Sequence, residues 1–159
     1  MTEYLNRCLK EERLKNHRTS IEEISKLFKI INRDLADANI PALSADRRFI
    51  TAYNALLQLT TVVLRVHGLR TNPNKAGHHR VSIDALPEIL GSEFQDLTDY
   101  FHACRIKRHS CDYTNSGETS DKEATEIFIE ATSFKNAVLQ WIKKTHPQLL
   151  VHEQITTSR

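Results

Sequence analysis

The chain has 159 residues, of which 40% are apolar, 26% charged and 7% aromatic. This composition is that of an ordinary globular protein, and the length corresponds to a single domain of residues 1–159. Four glycines and four prolines are too few for a turn-rich β-sandwich, and no apolar run approaches the roughly 18 residues of a membrane span. The net charge of +2 gives no global argument for nucleic-acid binding, so any such interaction is expected to be local.

The first twenty residues are polar and lack the apolar segment of a secretory signal, which favours a cytoplasmic protein. The three cysteines form no CxxC pair, so neither a disulfide framework nor a zinc-ribbon spacing is indicated, and buried thiols are the simpler interpretation. No Gly-rich phosphate loop is present. The sequence therefore predicts neither a metal nor a cofactor.

Two helices are predicted in the first part of the chain. Residues 3 to about 15 have a weak helical period, within an N-terminal segment 1–18 that either packs on the rest of the domain or serves as a dimer arm. Ser20 followed by Glu23 predicts a capping box at the start of the second helix. Apolar residues then recur every three or four positions until Pro41, so this helix must bury one face.

The third predicted helix runs from Ala45 to His67, after a cap at Ser44, and has apolar side chains around most of its circumference. This pattern is expected of a helix with neighbours on several sides, so we expect it to be the central one. Gly68 ends the helix, and residues 69–77 are predicted to be an irregular connection.

A fourth helix is predicted from about 78 to 90, where Pro87 is expected to kink it or to start a new turn. Ser92 with Gln95 predicts a capping box before a fifth helix that runs to about Asp112.

Ser120 with Glu123 predicts a third capping box, before a sixth helix that ends near Pro147. Residues 147–159 are predicted to be a flexible tail. Five or six helices with short connections predict an all-α, up-and-down antiparallel bundle with its core in residues 20–145.

The most informative segment is residues 99–113, DYFHACRIKRHSCDY, where an apolar stripe continues onto Arg108. At about 100° per residue, Arg105 and Asp112 lie on the same side of the helix as Arg108, and His109 lies somewhat further round. An arginine in a buried stripe must be paired or partly solvated, and Asp112 is the obvious partner. One interpretation is therefore a structural ion pair that fixes this helix against its neighbours.

His78 and His79 follow Gly77 at a predicted helix start, where their side chains can cap the helix or face solvent. Adjacent residues cannot share one helical face, so a metal site is not predicted there. The two histidines are candidate binding residues, together with Arg105, Arg108 and Asp112. The basic segments at 15–18 and 46–48 are interleaved with acidic residues, which predicts ordinary solvated faces.

Three segments, taken in order, resemble the HEPN superfamily (higher eukaryotes and prokaryotes nucleotide-binding domain), in its branch of small bacterial and archaeal proteins. They lie between residue 45 and about 140 and read RFITAYNALLQLTTVVLRVHGLR, GHHRVSIDAL and RIKRHSCDY, followed by a capped last helix. The resemblance implies a HEPN-like bundle, a homodimer and a site to which both subunits contribute. In HEPN ribonucleases the motif is Arg, a polar residue, a few residues of any type and then His, and it forms a metal-independent RNA-cleavage site.

Arg108 and His109 match the first two positions of this motif, and Tyr113 stands where the family has its catalytic His. Cleavage of RNA through its own 2′-hydroxyl needs a base, an acid and cationic donors, which Arg105 and Arg108 can supply. A tyrosine, with an ordinary pKa of about 10, is a poor base at neutral pH. His109 is the alternative group for the proton transfer.

Two functions follow from these residues. The first, which Tyr113 favours, is a catalytically silent HEPN-like module that binds a protein or a nucleotide or RNA partner in a toxin–antitoxin or defence-type system. The second is a metal-independent HEPN endoribonuclease, a toxin with a composite dimer site, which the joint presence of Arg105, Arg108 and His109 favours. The resemblance also implies a nucleotidyltransferase-type antitoxin as a partner.

Overall fold

The computed structural model describes the backbone of residues 1–113 and 119–152 and, within these ranges, the side chains of all residues except 110–113. Over these ranges the chain is an all-α, up-and-down helical bundle, which confirms the predicted fold class. The six helices in the described ranges are α1 (Glu3–Lys10), α2 (Ile21–Ala38), α3 (Ala45–Val66), α4 (His78–Leu90), α5 (Gln95–Tyr113) and α6 (Asp121–Thr145). Two short strands, β1 (Leu14–Asn16) and β2 (Leu69–Thr71), form a small antiparallel sheet.

The central helix is α3, as its apolar circumference predicts. It contacts α2, α4, α5 and α6, and it contributes buried side chains to each of the three core clusters found in the described residues. By length and composition α3 is apolar enough to cross a membrane, but 61% of its most apolar window is buried inside the bundle. This burial is expected of the core helix of a bundle.

Side-chain caps set the starts of α3 and α6. Ser44 and Ser120 each accept a backbone hydrogen bond from the first turn of the helix that follows, as predicted. The predicted capping box of Ser92 with Gln95 is wrong. Residues 92–94 form a 3₁₀ turn without a side-chain cap, and the Gln95 amide donates to the Asp99 carboxylate at 2.9 Å.

At the start of α2, half of the predicted capping box forms. The Ser20 hydroxyl accepts a hydrogen bond from the Glu23 backbone N–H at 3.2 Å. The Glu23 carboxylate turns away and lies 2.9 Å from both His17 Nε2 and Arg65 Nε. Because His17 follows β1 and Arg65 is in the last turn of α3, this carboxylate joins three parts of the chain.

The first helix ends at Lys10, earlier than the predicted limit near residue 15. The Arg13 N–H donates to the Cys8 carbonyl at 2.9 Å and the Glu12 N–H to the Leu9 carbonyl at 3.1 Å, which is the pattern of a Schellman C-cap. Glu12 has the left-handed φ of 56° that this motif requires. The chain then enters β1, which pairs with β2 in the segment predicted to be irregular.

The N-terminal helix packs on the bundle. Leu5 and Cys8 of α1 are fully buried and cluster with Leu64 of α3, Leu69 of β2 and Val81 of α4. Of the two roles expected for the N-terminal segment, packing on the bundle is the one that the structure shows. As a result, α1 and the sheet support one side of α4.

The segment after α6 differs from the predicted flexible tail. Residues 147–149 form a 3₁₀ turn, and Leu150 is buried in the main core cluster. The burial of this apolar side chain fixes the segment as far as residue 150. The remainder of the predicted tail, residues 153–159, lies outside the described part of the chain.

Candidate functional site

A cavity of about 490 Å³ lies between the start of α4 and the second half of α5, with one side chain of α3 in its wall. This volume is within the range of roughly 300–1,000 Å³ that is typical of small-molecule sites. The cavity is lined by three arginines and three histidines, and none of its described lining residues is acidic. We call it the Arg–His pocket; its lining residues are Tyr53, Gly77, His78, His79, Arg80, Arg105, Ile106, Arg108 and His109.

One wall of the pocket belongs to α5. Arg108 and His109 follow Arg105 by three and four residues, so both side chains leave the helix on faces next to that of Arg105. The same spacing places Ile106 at the edge of the pocket, where its side chain is 63% exposed. The two candidate arginines and His109 are thus brought together with His78 and His79, which lie far from them in sequence.

The opposite wall is the first turn of α4. Gly77 precedes this turn with a left-handed φ of 76°, which strains any residue with a Cβ. No side chain caps the start of α4, and its first turn carries no acidic residue. The first N–H groups of a helix have no partner within the helix and attract anions, so this helix start adds to the positive potential of the pocket.

Two buried donors in the wall lack a hydrogen-bond partner within the described part of the chain. They are the Tyr53 hydroxyl and the Arg105 Nε–H group. Tyr53 is fully buried, and the Cζ atom of Arg108 lies 5.9 Å from the centre of its ring. Buried donors without an acceptor are costly, so these two groups indicate that an acceptor belongs in the pocket.

The hydroxyl of Tyr53 stays protonated, so it acts as a hydrogen-bond donor and not as a base. Burial raises the pKa of its hydroxyl to about 12, although the positive charges of Arg105 and Arg108 act in the opposite direction. The phenol is therefore protonated at neutral pH. It can donate a hydrogen bond to an anion, but it cannot accept the proton of a 2′-hydroxyl.

The imidazole ring of His79 is neutral at neutral pH. Partial burial of the ring, and then the neighbouring His78, Arg108 and Arg105, lower its pKa below the ordinary histidine value. The rings of His78 and His79 are in edge contact, with their centres 4.5 Å apart. A bound anion would offset the positive charges and favour protonation of His79.

Two candidate residues cannot be placed in the pocket. Asp112 and Tyr113 are in the last turn of α5, but their side chains lie outside the described residues. The ion pair between Arg108 and Asp112, and any role of Tyr113, therefore remain predictions.

The described acidic groups near the pocket do not line it, although one of them contacts the pocket residue Arg80. Asp84 Oδ1 lies 2.6 Å from His102 Nε2, and Asp84 Oδ2 lies 3.9 Å from Arg80 Nε. On the other side of α5, Lys107 Nζ lies 3.5 Å from the Glu123 carboxylate. These contacts join α4 to α5 and α5 to α6 without placing a described carboxylate in the pocket wall.

Sequence reasoning missed Tyr53, Arg80 and Ile106. In the sequence, Tyr53 belongs to the apolar pattern of α3 and is indistinguishable from a core residue. Arg80 and Ile106 belong to no motif that indicates a site. The useful signal was the helix start after Gly77, because a helix that begins without a cap or an acidic residue is open to an anion.

The described residues contain no group of three or more His, Cys, Asp and Glu side chains that could hold a metal ion. Cys8 and Cys104 are buried free thiols. Burial raises the pKa of the Cys104 thiol to about 11, so it is protonated and unreactive at neutral pH. Cys8 and Cys104 are thus part of the core.

No family model, curated protein or solved structure matches this chain. The resemblance to the HEPN superfamily therefore rests only on the three sequence segments between residue 45 and about 140.

Tyr53→Phe is expected to leave the stability of the protein unchanged or to raise it. The substitution removes a buried hydroxyl that has no partner, and an unsatisfied buried group costs about 1–3 kcal/mol. Tyr100→Phe is the matched control, because the Tyr100 hydroxyl interacts with the Cys104 thiol and its loss should lower stability by about 1 kcal/mol. Urea unfolding measures both, and a Tyr53→Phe variant less stable than wild type by more than about 1 kcal/mol would contradict the assignment.

Sulfate binding is expected to tighten as the pH falls from about 8 to about 6. Binding favours the protonated form of His79, so the affinity rises by up to about tenfold per pH unit for each proton taken up. Sulfate is the probe because, unlike phosphate, it does not titrate in this range. The charged or titratable groups that face His79 are Tyr53 from α3, His78 and Arg80 from α4, and Arg105, Arg108 and His109 from α5.

Isothermal titration calorimetry at several pH values measures this dependence. His79→Gln should flatten it, whereas His146→Gln, which replaces a histidine outside the pocket, should not. Affinity that is the same at all pH values in the wild type, or that weakens on acidification, would show that His79 does not take up the proton.

Proposed function

We propose that this protein is a HEPN-like module that binds a phosphate-bearing partner, a nucleotide or RNA, in the Arg–His pocket without cleaving it. The observation that supports this proposal is the composition of the pocket, with three arginines and three histidines and no acidic residue among its described lining side chains. Arginine donates to phosphate oxygens in a fixed fork geometry, and the uncapped start of α4 favours the same charge.

Binding is favoured over catalysis because the residue in the position of the family's catalytic His is a tyrosine, and the second tyrosine, Tyr53, is also a poor base. Tyr113 stands where the resembling family has its catalytic His, and the hydroxyl of Tyr53 has a pKa of about 12. Neither phenol removes a proton from a 2′-hydroxyl at neutral pH. Phosphate binding requires only the cationic donors.

The second candidate function is a metal-independent endoribonuclease. It is supported by the position of His79 and His109 in the same pocket as Arg105 and Arg108. A neutral imidazole beside two guanidinium groups has the elements of general-base catalysis with charge stabilisation. In this function His79 or His109 replaces the missing family His.

For either function, the resemblance implies a cytoplasmic toxin–antitoxin or defence-type system. It also implies a homodimer and a nucleotidyltransferase-type antitoxin as the partner. Ile106, which is 63% exposed at the pocket edge, would lie at the contact if two copies associate through this edge. A C₂ arrangement through this edge would bring the two pockets near each other.

Incubation of the purified protein with cellular RNA, with a chelator present, separates the two functions. We expect no cleavage above background, because no group matched to the family's catalytic His is present, together with salt-sensitive retention of the RNA on a filter. Arg108→Ala should weaken retention by about tenfold or more, since a charge-assisted donor to phosphate is lost. Arg18→Ala, in the basic segment outside the pocket, is the matched control.

Cleavage by the wild type that disappears in both Arg108→Ala and His109→Ala would establish the endoribonuclease instead. Retention that Arg18→Ala weakens and Arg108→Ala leaves intact would place the interaction outside the Arg–His pocket.

A further inference from the structure

We infer that the ligand of the Arg–His pocket is a terminal phosphate, the phosphomonoester of a nucleotide or of an RNA end, and not the phosphodiester inside a strand. The inference rests on the proposed phosphate binding and specifies its chemistry. Three features of the described residues support it: the confinement of the positive charge, the buried donors, and the helix start at the pocket wall.

The positive charge is confined to the pocket. Beyond it on α5, Lys107 is paired with Glu123 at 3.5 Å, and Glu123 and Glu126 line the adjoining hollow. On α4, Asp84 lies outside the lining of the pocket and contacts His102 and the lining residue Arg80. A nucleic-acid strand carries one phosphate per nucleotide, and proteins that bind its interior provide a basic groove along the backbone. These surroundings instead fit a ligand whose charge is concentrated in one group.

A monoester matches this concentrated charge better than a diester does. A terminal phosphate carries about 1.5 to 2 negative charges at neutral pH and has three strong acceptor oxygens. A diester carries one charge, has two non-bridging oxygens, and is attached to the chain on both sides. The pocket brings together the guanidinium groups of Arg80, Arg105 and Arg108, which can donate to several oxygens of one phosphate group.

The buried donors indicate how far the ligand enters. Tyr53 is fully buried, and its hydroxyl and the Arg105 Nε–H have no acceptor among the described residues. A group at the end of a ligand brings an acceptor to such donors more easily than a strand interior does, because the interior has sugars on both sides of each phosphate. The ligand oxygens are therefore expected to interact with Tyr53 and Arg105.

The start of α4 supplies a further set of donors. This helix of 13 residues has no side-chain cap and no acidic residue in its first turn, and Gly77, His78 and His79 from this start line the pocket. A helix start of this kind accommodates a compact dianion. The start of α4 and the Tyr53 hydroxyl, which has no acceptor among the described residues, together form one site for one phosphate group.

Calorimetric titration with matched ligands tests the inference. The probes are one RNA oligonucleotide of fixed sequence with a 5′-phosphate, a 3′-phosphate or hydroxyl groups at both ends, and the pair AMP and cyclic AMP, of which only AMP is a monoester. We expect an oligonucleotide with a terminal phosphate to bind about tenfold or more tightly than the hydroxyl-ended one, and AMP to bind more tightly than cyclic AMP. Comparing AMP with the oligonucleotides separates a free nucleotide from an RNA end as the source of the phosphate.

Two variants locate the effect. Arg105→Ala should reduce the preference for a terminal phosphate by about tenfold or more, and Tyr53→Phe should reduce it several-fold without loss of folding. Arg18→Ala should preserve the preference, because Arg18 lies outside the pocket.

Equal binding of phosphorylated and hydroxyl-ended RNA, with an affinity that grows with length, would overturn the inference while leaving phosphate binding as the function. A preference for terminal phosphate that persists in both Arg105→Ala and Tyr53→Phe would also overturn it. Absence of binding to every phosphate compound would overturn the proposed function itself.

Discussion

The candidate site depends on one electrostatic constraint: three guanidinium and three imidazole groups are held around a single cavity. Like charges at short range disfavour one another, and the pKa of His79 is lowered first by partial burial of its ring and then by His78, Arg108 and Arg105. Among the described carboxylates, Asp84 lies 3.9 Å from Arg80 and offsets part of its charge, whereas Glu123 is paired with Lys107 outside the cavity. An anion among these groups would reduce the repulsion between them.

The free energy that holds these groups together comes from packing on α3. On one side, Val81 of α4 lies in the cluster that contains the buried residues of α1 and the two strands. On the other side, Phe101 of α5 is fully buried and makes an edge-to-face contact with Phe134 of α6 at 5.4 Å. The N-terminal helix and the sheet thus have a role in the site, because they support the α4 wall from behind.

Local patterns in the sequence were sufficient for the helices and for part of the site. Apolar periodicity predicted the bundle, and helical spacing put Arg105 and Arg108 on one side of α5. Two features depended on interactions that local patterns do not contain. The end of α1 requires Glu12 in a left-handed conformation where glycine is usual, and β1 pairs with a strand more than 50 residues away. Tyr53 has the signature of a core residue, and only the fold shows that its hydroxyl lies near two arginines.

A crystal structure of the protein with bound AMP shows whether the Arg–His pocket binds an oxyanion. We expect phosphate density in this pocket, with its oxygens at hydrogen-bond distances of about 3 Å from the Tyr53 hydroxyl and Arg105 Nε. Phosphate bound instead at the basic segment 15–18, or a pocket filled by the base or the ribose with the phosphate outside it, would show that the pocket is not an oxyanion site.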